Sequence, residues 1–291
     1  MDTKTLKVGF IGTGVMGKSM ALHLMKKYNN LHVYTRTKAK AQELLDQGAE
    51  WSTSPAALAS TVDVLFTIVG YPQDVKEIYL GDNGVVKNGK KGLIAIDMTT
   101  SNPSLAHEIY HKAKSRDIHI LDAPVSGGDT GARNGTLSVM VGGDEEVFEK
   151  VKPLLETFGE NIRYHGVAGT GQHTKMANQI AIATNMIGVC EALVYAERAG
   201  LNLEEVLMTI SGGAAGSWSL SNLAPRMIAG NFEPGFFVKH FIKDMGIAID
   251  EAERMELSLP GLSLAKELYE ELKSKGAEND GTQALIKLWK E

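Results

Sequence analysis

The sequence predicts an α/β fold: a doubly wound, mostly parallel sheet, followed by an all-α domain. Three observations carry this. Short apolar runs alternate with helical patterns as far as about residue 164. Beyond residue 170 no convincing strand appears. A glycine-rich turn directly follows the first apolar run. Short strands joined through helices imply crossover connections, and those require a parallel sheet covered on both faces.

Residues 6–11 read as the first strand, followed by the glycine turn and a helix to about residue 27. Residues 31–34 form a second strand, and residues 38–47 a helix that Gly48 is placed to stop. Residues 62–69 and 93–98 are apolar enough for buried strands. Pro103 then opens a helix from a favoured first-turn position. Strands follow at 118–122 and 136–141, the latter ending at Gly142-Gly143. Asp144 stands where it would cap the next helix, with Glu145 and Glu146 in the first turn, where the helix dipole favours acids.

Residues 175–198 read as one helix, about 36 Å long at 1.5 Å per residue. Met176, Ile180, Ile182, Met186, Ile187, Val189 and Leu193 take its apolar character almost all the way round, which predicts burial on every side. It needs helices around it, from about 203–210, 220–229, 238–255, 262–275 and 282–290, or a partner subunit. The predicted division is residues 1–166 and 167–291, in the glycine-rich stretch before the long helix. A homodimer or homotetramer is expected.

Composition narrows the function. The 291 residues are 43% hydrophobic and 22% charged, with 30 basic against 35 acidic side chains. That is an ordinary globular composition, with enough apolar material for a core. A net charge of −5 gives no basic footprint for nucleic acid or a membrane surface. The single cysteine, Cys190, excludes an intramolecular disulfide framework and a cysteine-rich zinc site; its apolar surroundings make it a buried small hydrophobe. Residues 1–6 lack a secretory signal, and no uninterrupted apolar stretch reaches the length of a membrane span. A cytoplasmic protein is expected.

Gly12-Thr13-Gly14-Val15-Met16-Gly17 fits G-x-G-x-x-G. The spacing alone is weak; after a strand and at the head of a helix it is a dinucleotide fingerprint. Gly12 permits the tight turn, Gly14 lets the backbone approach a pyrophosphate, and Gly17 lets helix and strand lie close. Backbone N–H groups at the helix start then face the phosphates. The first domain is therefore Rossmann-type. At the end of the second strand, Thr35-Arg36-Thr37 supplies no acid for a ribose 2′-hydroxyl. Arg36 can pair with a 2′-phosphate, and Lys40 adds positive charge, so NADP is favoured over NAD.

The expected proton donor opens the long helix. Lys175, Asn178 and Gln179 stand at i, i+3 and i+4 and share a face. A lysine beginning an apolar helix is out of place electrostatically, since the dipole there disfavours a cation. Burial and a cationic nicotinamide would both ease its proton loss, which suits acid–base work. Asp122-Ala123-Pro124-Val125-Ser126-Gly127-Gly128 sits at the carboxyl end of a strand, where open parallel sheets bind ligands. Ser126 and the N–H groups of Gly127 and Gly128 are placed to hold a carboxylate; the plain alternative is a turn before a hairpin.

Together the glycine fingerprint, residues 122–128, residues 169–179 and Lys243-Asp244 resemble the β-hydroxyacid dehydrogenase family, over nearly the whole chain and in the family's motif order. The resemblance implies that Lys175 is the catalytic acid/base, that Asn178 positions lysine and substrate, and that Gln179 stands where many members have a second Asn. It implies that Ser126, Gly127 and Gly128 bind the substrate carboxylate. Tyr71-Pro72 matches a Leu-Pro beside the cofactor, Thr100 lies on the nicotinamide side, and Phe236 and Lys243 close over cofactor and substrate. Thr35-Arg36-Thr37-x-x-Lys40 is similar to the Asn-Arg-Thr-x-x-Lys of NADP-using members, with Thr for Asn. The implied reaction is hydride transfer between a nicotinamide and a small 3-hydroxyacid or semialdehyde. The alternatives are a non-catalytic dinucleotide-binding module and an imine reductase on the same scaffold, where Lys175 would usually be replaced.

His107-Glu108-Ile109-Tyr110-His111 matches H-E-x-x-H, but a zinc hydrolase also needs an open cleft and a third ligand, and this match lies on a sheet-covering helix. No metal is expected. Asn134-Gly135-Thr136 is a glycosylation sequon without a secretory context. Trp218 is either part of a substrate pocket or core packing, and Gly212, Gly213 and Gly216 suggest a mobile loop nearby.

Overall fold

The computed structural model describes residues 5–290. The reading of residues 1–6 as no secretory signal lies, for residues 1–4, outside the described residues. The chain divides into two compact units, Met1–Lys175 and Met176–Glu291, so that the division falls inside the long helix.

In the first unit the sheet contains β1 (Val8–Ile11), β2 (Leu31–Tyr34), β3 (Glu50–Trp51), β4 (Val64–Thr67), β5 (Ile94–Asp97), β6 (His119–Asp122), β7 (Val125–Ser126), β8 (Leu137–Gly143) and β9 (Gly159–Tyr164). The order is β3-β2-β1-β4-β5-β6-β8-β7, with β9 on β8. From β3 to β6 every pairing is parallel; β8 runs antiparallel to β6 and β7 and parallel to β9. Val8 lies opposite Leu31 on one side and Val64 on the other. Order reverses between β1 and β4, and the carboxyl ends of both strands open there, at the position where doubly wound sheets bind ligands.

The two faces can be read from the strands. Val8 and Phe10, Val64 and Phe66, and Ile94 and Ile96 belong to one core, with Met20, Leu24 and Phe158. Ile11, Leu65 and Ala95 belong to the other, with Leu58, Val75, Leu93 and Ile109. This is the period-2 alternation of a strand buried on both sides. Each fully buried Phe, Ile or Leu contributes about 1.5–3 kcal/mol relative to exposure.

Helix starts follow the sequence signals in most places. Pro55, Pro72 and Pro103 each occupy a first-turn position, and Ser54 accepts the N–H of Ala57 at 3.1 Å. Asp144 departs from expectation. It precedes the helix Glu145–Leu155 but makes no side-chain cap; its carboxylate accepts the Tyr110 hydroxyl at 2.6 Å instead. Residues 128–134, for which the sequence suggested no element, form a helix, Gly128–Asn134. Strands β3 and β7 are two residues each, too short to carry a pattern. The polar edge strand β9 lacks an apolar run.

In the second unit no named strand occurs among the described residues, only an isolated bridge between Phe237 and Gly281. Its core gathers Met186, Cys190 and Leu193 of the helix Thr170–Arg198 with Phe241 and Met245 of Val238–Arg254 and Tyr269 and Leu272 of Pro260–Ser274. Pro225 breaks the expected 220–229 helix into Trp218–Asn222 and Ala224–Ile228. The long helix is not buried on every side. Ala177, Ala181, Thr184, Gly188, Glu191 and Tyr195 form an exposed stripe, with Tyr195 76% exposed. The helix is long and apolar enough to cross a membrane by length and composition, but its apolar residues build this unit's core.

Candidate active site

The glycine turn closes β1 onto the helix Val15–Met25. Gly12 has φ +94°, and a Cβ there would overlap the carbonyl oxygen of Ile68. A Cβ on Gly17 would overlap the carbonyl oxygen of Gly12, so this glycine sets the approach of helix to strand. Gly14 faces open space, and Val15, first in the helix, is 53% exposed. The first turn carries no acid. Thr13 is buried, and its hydroxyl has no hydrogen-bond partner. An open α-carbon, a bare helix start and an unsatisfied buried hydroxyl fit a dinucleotide pyrophosphate. Gly12, Thr13, Gly14, Val15, Met16 and Gly17 are the residues that would hold it.

At the end of β2 the side chain of Arg36 is 79% exposed, and one guanidinium nitrogen pairs with Asp74 at 3.0 Å. Asp74 comes from the helix Pro72–Leu80, which Tyr71 precedes, and its second carboxylate oxygen is buried without a partner. Sequence reading found no acid near this strand end because Asp74 arrives from another crossover. Thr37 and Lys40 are exposed as well.

A buried hydrogen-bond chain links the ends of β5 and β6 to the start of the long helix. The carboxylate of Asp97 accepts the N–H of Thr99 at 3.0 Å, and the Thr99 hydroxyl accepts the N–H of Val69 at 3.0 Å. The side chain of Gln172 donates to the Thr99 carbonyl at 2.7 Å and accepts the N–H of Ser101 at 3.0 Å. These bonds hold the segment containing Thr100. Asp122 accepts the N–H of Gly169 at 2.7 Å and of Gln172 at 2.8 Å, one per carboxylate oxygen. It thus caps the helix from β6, outside the helix's own sequence. Burial pushes its pKa up, and the two N–H groups partly oppose that rise. Lys175, expected to begin this helix, instead lies in its second turn, because the helix starts at Thr170 on the Asp122 cap, and it is buried at 6% exposure. Asp122 and Gln172 stood inside recognised motifs but had no assigned role. Their signal was a carboxylate ending a buried strand and a glutamine opening an apolar helix.

Ser126, Gly127 and Gly128 follow β6 at the same sheet edge. Gly127 and Gly128 have φ of +127° and +63°, which turn the chain into the helix Gly128–Asn134 and leave Gly128 facing open space.

In the second unit, Asn178 donates to the Gln179 side-chain oxygen at 2.8 Å. Gln179 donates to Asp244 at 2.6 Å, and Lys243 pairs with the other oxygen of Asp244 at 2.8 Å. Gln179 and Asp244 are each about 1% exposed. Asp244, quoted with Lys243 but given no role, joins three predicted residues into one network. Phe236 is half-buried and stacks obliquely on Phe241 at 5.5 Å. Trp218 is 58% exposed, so core packing does not explain it.

Similarity to known proteins covers both units. Residues 7–166 match the model of the NAD-binding domain of 6-phosphogluconate dehydrogenase. Residues 169–289 match that of the NAD-binding region of NADP-dependent 3-hydroxyisobutyrate dehydrogenase. An uncharacterised oxidoreductase of Bacillus subtilis (strain 168) is 60% identical, over 97% of this chain and 98% of its own. A probable 3-hydroxyisobutyrate dehydrogenase-like protein of Arabidopsis thaliana is 48% identical, over 96% and 84%. The 2-hydroxy-3-oxopropionate reductase of Escherichia coli (strain K12) is 39% identical, over 97% and 96%. Among solved structures, a Mycobacterium tuberculosis 3-hydroxyisobutyrate dehydrogenase with L-serine superposes with a TM-score of 0.89 at 27% identity, covering 98% and 99%. Another, described as Psf3 in complex with NADP+ and 2-OPP, gives 0.89 at 26%, covering 97% and 99%.

A glycine turn at the switch point of a doubly wound sheet, joined to a helical unit, thus defines an oxidoreductase that uses a nicotinamide dinucleotide. The chain belongs to the β-hydroxyacid dehydrogenase family.

Proposed function

We propose that this protein is an NADP-dependent reductase of small carboxylate-bearing semialdehydes, also able to oxidise the matching 3-hydroxyacids, with Lys175 as the acid/base. The observation that carries the reading is Lys175 itself. Its side chain is buried in the second turn of the helix Thr170–Arg198, whose first turn is fixed by Asp122 and Gln172. Such a position costs desolvation, and a merely structural role has no need of it.

Bound NADPH supplies the hydride. Lys175 donates a proton from Nζ to the carbonyl oxygen as it becomes a hydroxyl; in the oxidation, the neutral amine takes that proton back. Ser126 with the N–H groups of Gly127 and Gly128 binds the substrate carboxylate. Asn178 orients the substrate oxygen, held through Gln179 by Asp244. By the family resemblance, Phe236 and Lys243 would contact cofactor and substrate, and Tyr71, Pro72 and Thr100 the nicotinamide end. Arg36, Thr37 and Lys40 favour the 2′-phosphate of NADP. Relatives named 3-hydroxyisobutyrate dehydrogenase-like protein and 2-hydroxy-3-oxopropionate reductase support the substrate class. The proposal extends to a cytoplasmic homodimer or homotetramer, with the exposed stripe of the long helix in the subunit contact.

The test is a kcat/KM panel of semialdehydes and glyoxylate with NADPH and NADH, alongside light scattering for the oligomer. Turnover of a carboxylate-bearing semialdehyde with preference for NADPH supports the reading. No turnover of any member, or turnover only of substrates lacking a carboxylate, overturns it.

A further inference from the structure

The helix Pro103–Lys114 carries a feature that the dehydrogenase reading leaves unused. His107 and His111 stand at i and i+4, both exposed, and their Nε2 atoms are 3.0 Å apart. The rings lie with centroids 4.2 Å apart, and Tyr110 packs edge-on against His111 at 5.4 Å. Both histidines line a cavity of about 350 Å³, together with Tyr110, Lys114, Asp144 and Val167.

We propose that His107 and His111 form a two-imidazole chelate site for a late divalent transition-metal ion, nickel(II) or copper(II). The spacing selects the ion class. Metal–imidazole bonds are about 2.0–2.1 Å, and two of them spanning 3.0 Å enclose roughly 91–97° at the metal. A right angle is the cis angle of octahedral and tetragonal centres, which nickel(II) and copper(II) adopt, and is narrower than the tetrahedral angle preferred by zinc. Imidazole also suits these ions in ligand character, and their affinities stand high in the divalent series.

The surroundings do not repeat the zinc-hydrolase arrangement. Glu108, the would-be general base of the H-E-x-x-H pattern, pairs with Lys112 at 2.6 Å. Among the described residues, no group of three or more His, Cys, Asp or Glu side chains is placed to share a metal. Water therefore completes the coordination. Charge decides little: the Asp144 carboxylate and the Lys114 ammonium lie on the same cavity wall, the first accepting from the Tyr110 hydroxyl at 2.6 Å and the second donating to it at 3.2 Å. Ligation by the two nitrogens is what holds the ion.

The test uses the untagged full-length protein, titrated calorimetrically with Ni²⁺ and examined with Cu²⁺ by electron paramagnetic resonance. One Ni²⁺ per chain is expected. His107→Ala and His111→Ala each weaken binding at least about 100-fold, because the second ligand of a chelate acts at high effective concentration. The Cu²⁺ spectrum carries hyperfine splitting from two nitrogens, and from fewer in either variant. Both side chains are exposed, so circular dichroism and NADPH-linked turnover stay as in the parent protein. Absence of saturable Ni²⁺ binding, equal affinity in parent and variants, or a Cu²⁺ spectrum that neither substitution changes would overturn the proposal.

Discussion

The carboxylate of Asp122 accepts the backbone N–H of Gln172 at 2.8 Å, so the last residue of a buried strand caps a helix that begins almost fifty residues later. Its other oxygen takes the N–H of Gly169. Asp122→Asn keeps the shape but turns one acceptor into a donor facing an N–H. Losing a buried bond to a charged acceptor costs about 1.5–3 kcal/mol. The expected result is that loss in urea unfolding, with a fall in kcat larger than any change in the KM for NADPH, since Lys175 stands one turn further along the same helix.

Lys175→Ala should leave NADPH binding nearly intact and abolish turnover. Nicotinamide fluorescence titration reads the first, and single-turnover kinetics the second. General acid catalysis of this kind contributes roughly 10²–10⁴-fold. A variant retaining turnover within about tenfold of the parent would remove Lys175 from the chemistry.

Arg36 is shared between solvent and Asp74. Arg36→Ala is expected to raise the KM for NADPH by roughly 10–100-fold, the worth of one charge-assisted pair, and to leave that for NADH little changed. Asp74→Asn removes a carboxylate beside the same position and should lower the KM for NADPH. Equal effects on the two coenzymes would place Arg36 outside the 2′-phosphate site.

These residues show how far the sequence could be read. The glycines at 12, 14 and 17 were legible because a tight turn, a close approach and a packed helix each exclude a side chain for a local steric reason. Strands β1, β4 and β5 were legible because burial on both faces writes a continuous apolar run. Asp122 and Gln172 left a local trace, a polar residue at a buried strand end and at the head of an apolar helix, but their partners, like those of Asp74 and Asp244, appear only when the fold brings distant segments together. The long helix misled for a related reason. Ala177, Ala181 and Gly188 count as apolar or neutral in sequence, yet they lie on its exposed side.

Asp244 holds Gln179 on one oxygen and Lys243 on the other. Asp244→Ala therefore leaves a buried amide and a nearly buried ammonium without their acceptor, and a loss of about 3–5 kcal/mol is expected in chemical denaturation. Asp244→Asn keeps an acceptor for one partner and should lose less. If Gln179 acts by orienting Asn178, both variants also raise the KM for the semialdehyde while that for NADPH stays put. Steady-state kinetics with each substrate varied separates this from a general loss of folded protein.

Burial pushes the Cys190 thiol up to about 12, with the Glu191 charge adding to the rise. Tyr79 and Tyr269, fully buried, are likewise shifted upward by burial. Each folded-state value lies above its unfolded one, so the stability linked to these groups is fully present below the unfolded value and is lost as pH rises toward the folded one. For Cys190 that window runs from about 9 to about 12. Unfolding free energy should therefore fall through this range, with Cys190 alone contributing up to about 1.4 kcal/mol per pH unit. Cys190→Ala should flatten the alkaline slope by that amount. At neutral pH the native thiol should resist a disulfide reagent and react only once urea has opened the helical core. Rapid labelling of the folded protein would show that the thiol is not held in that core.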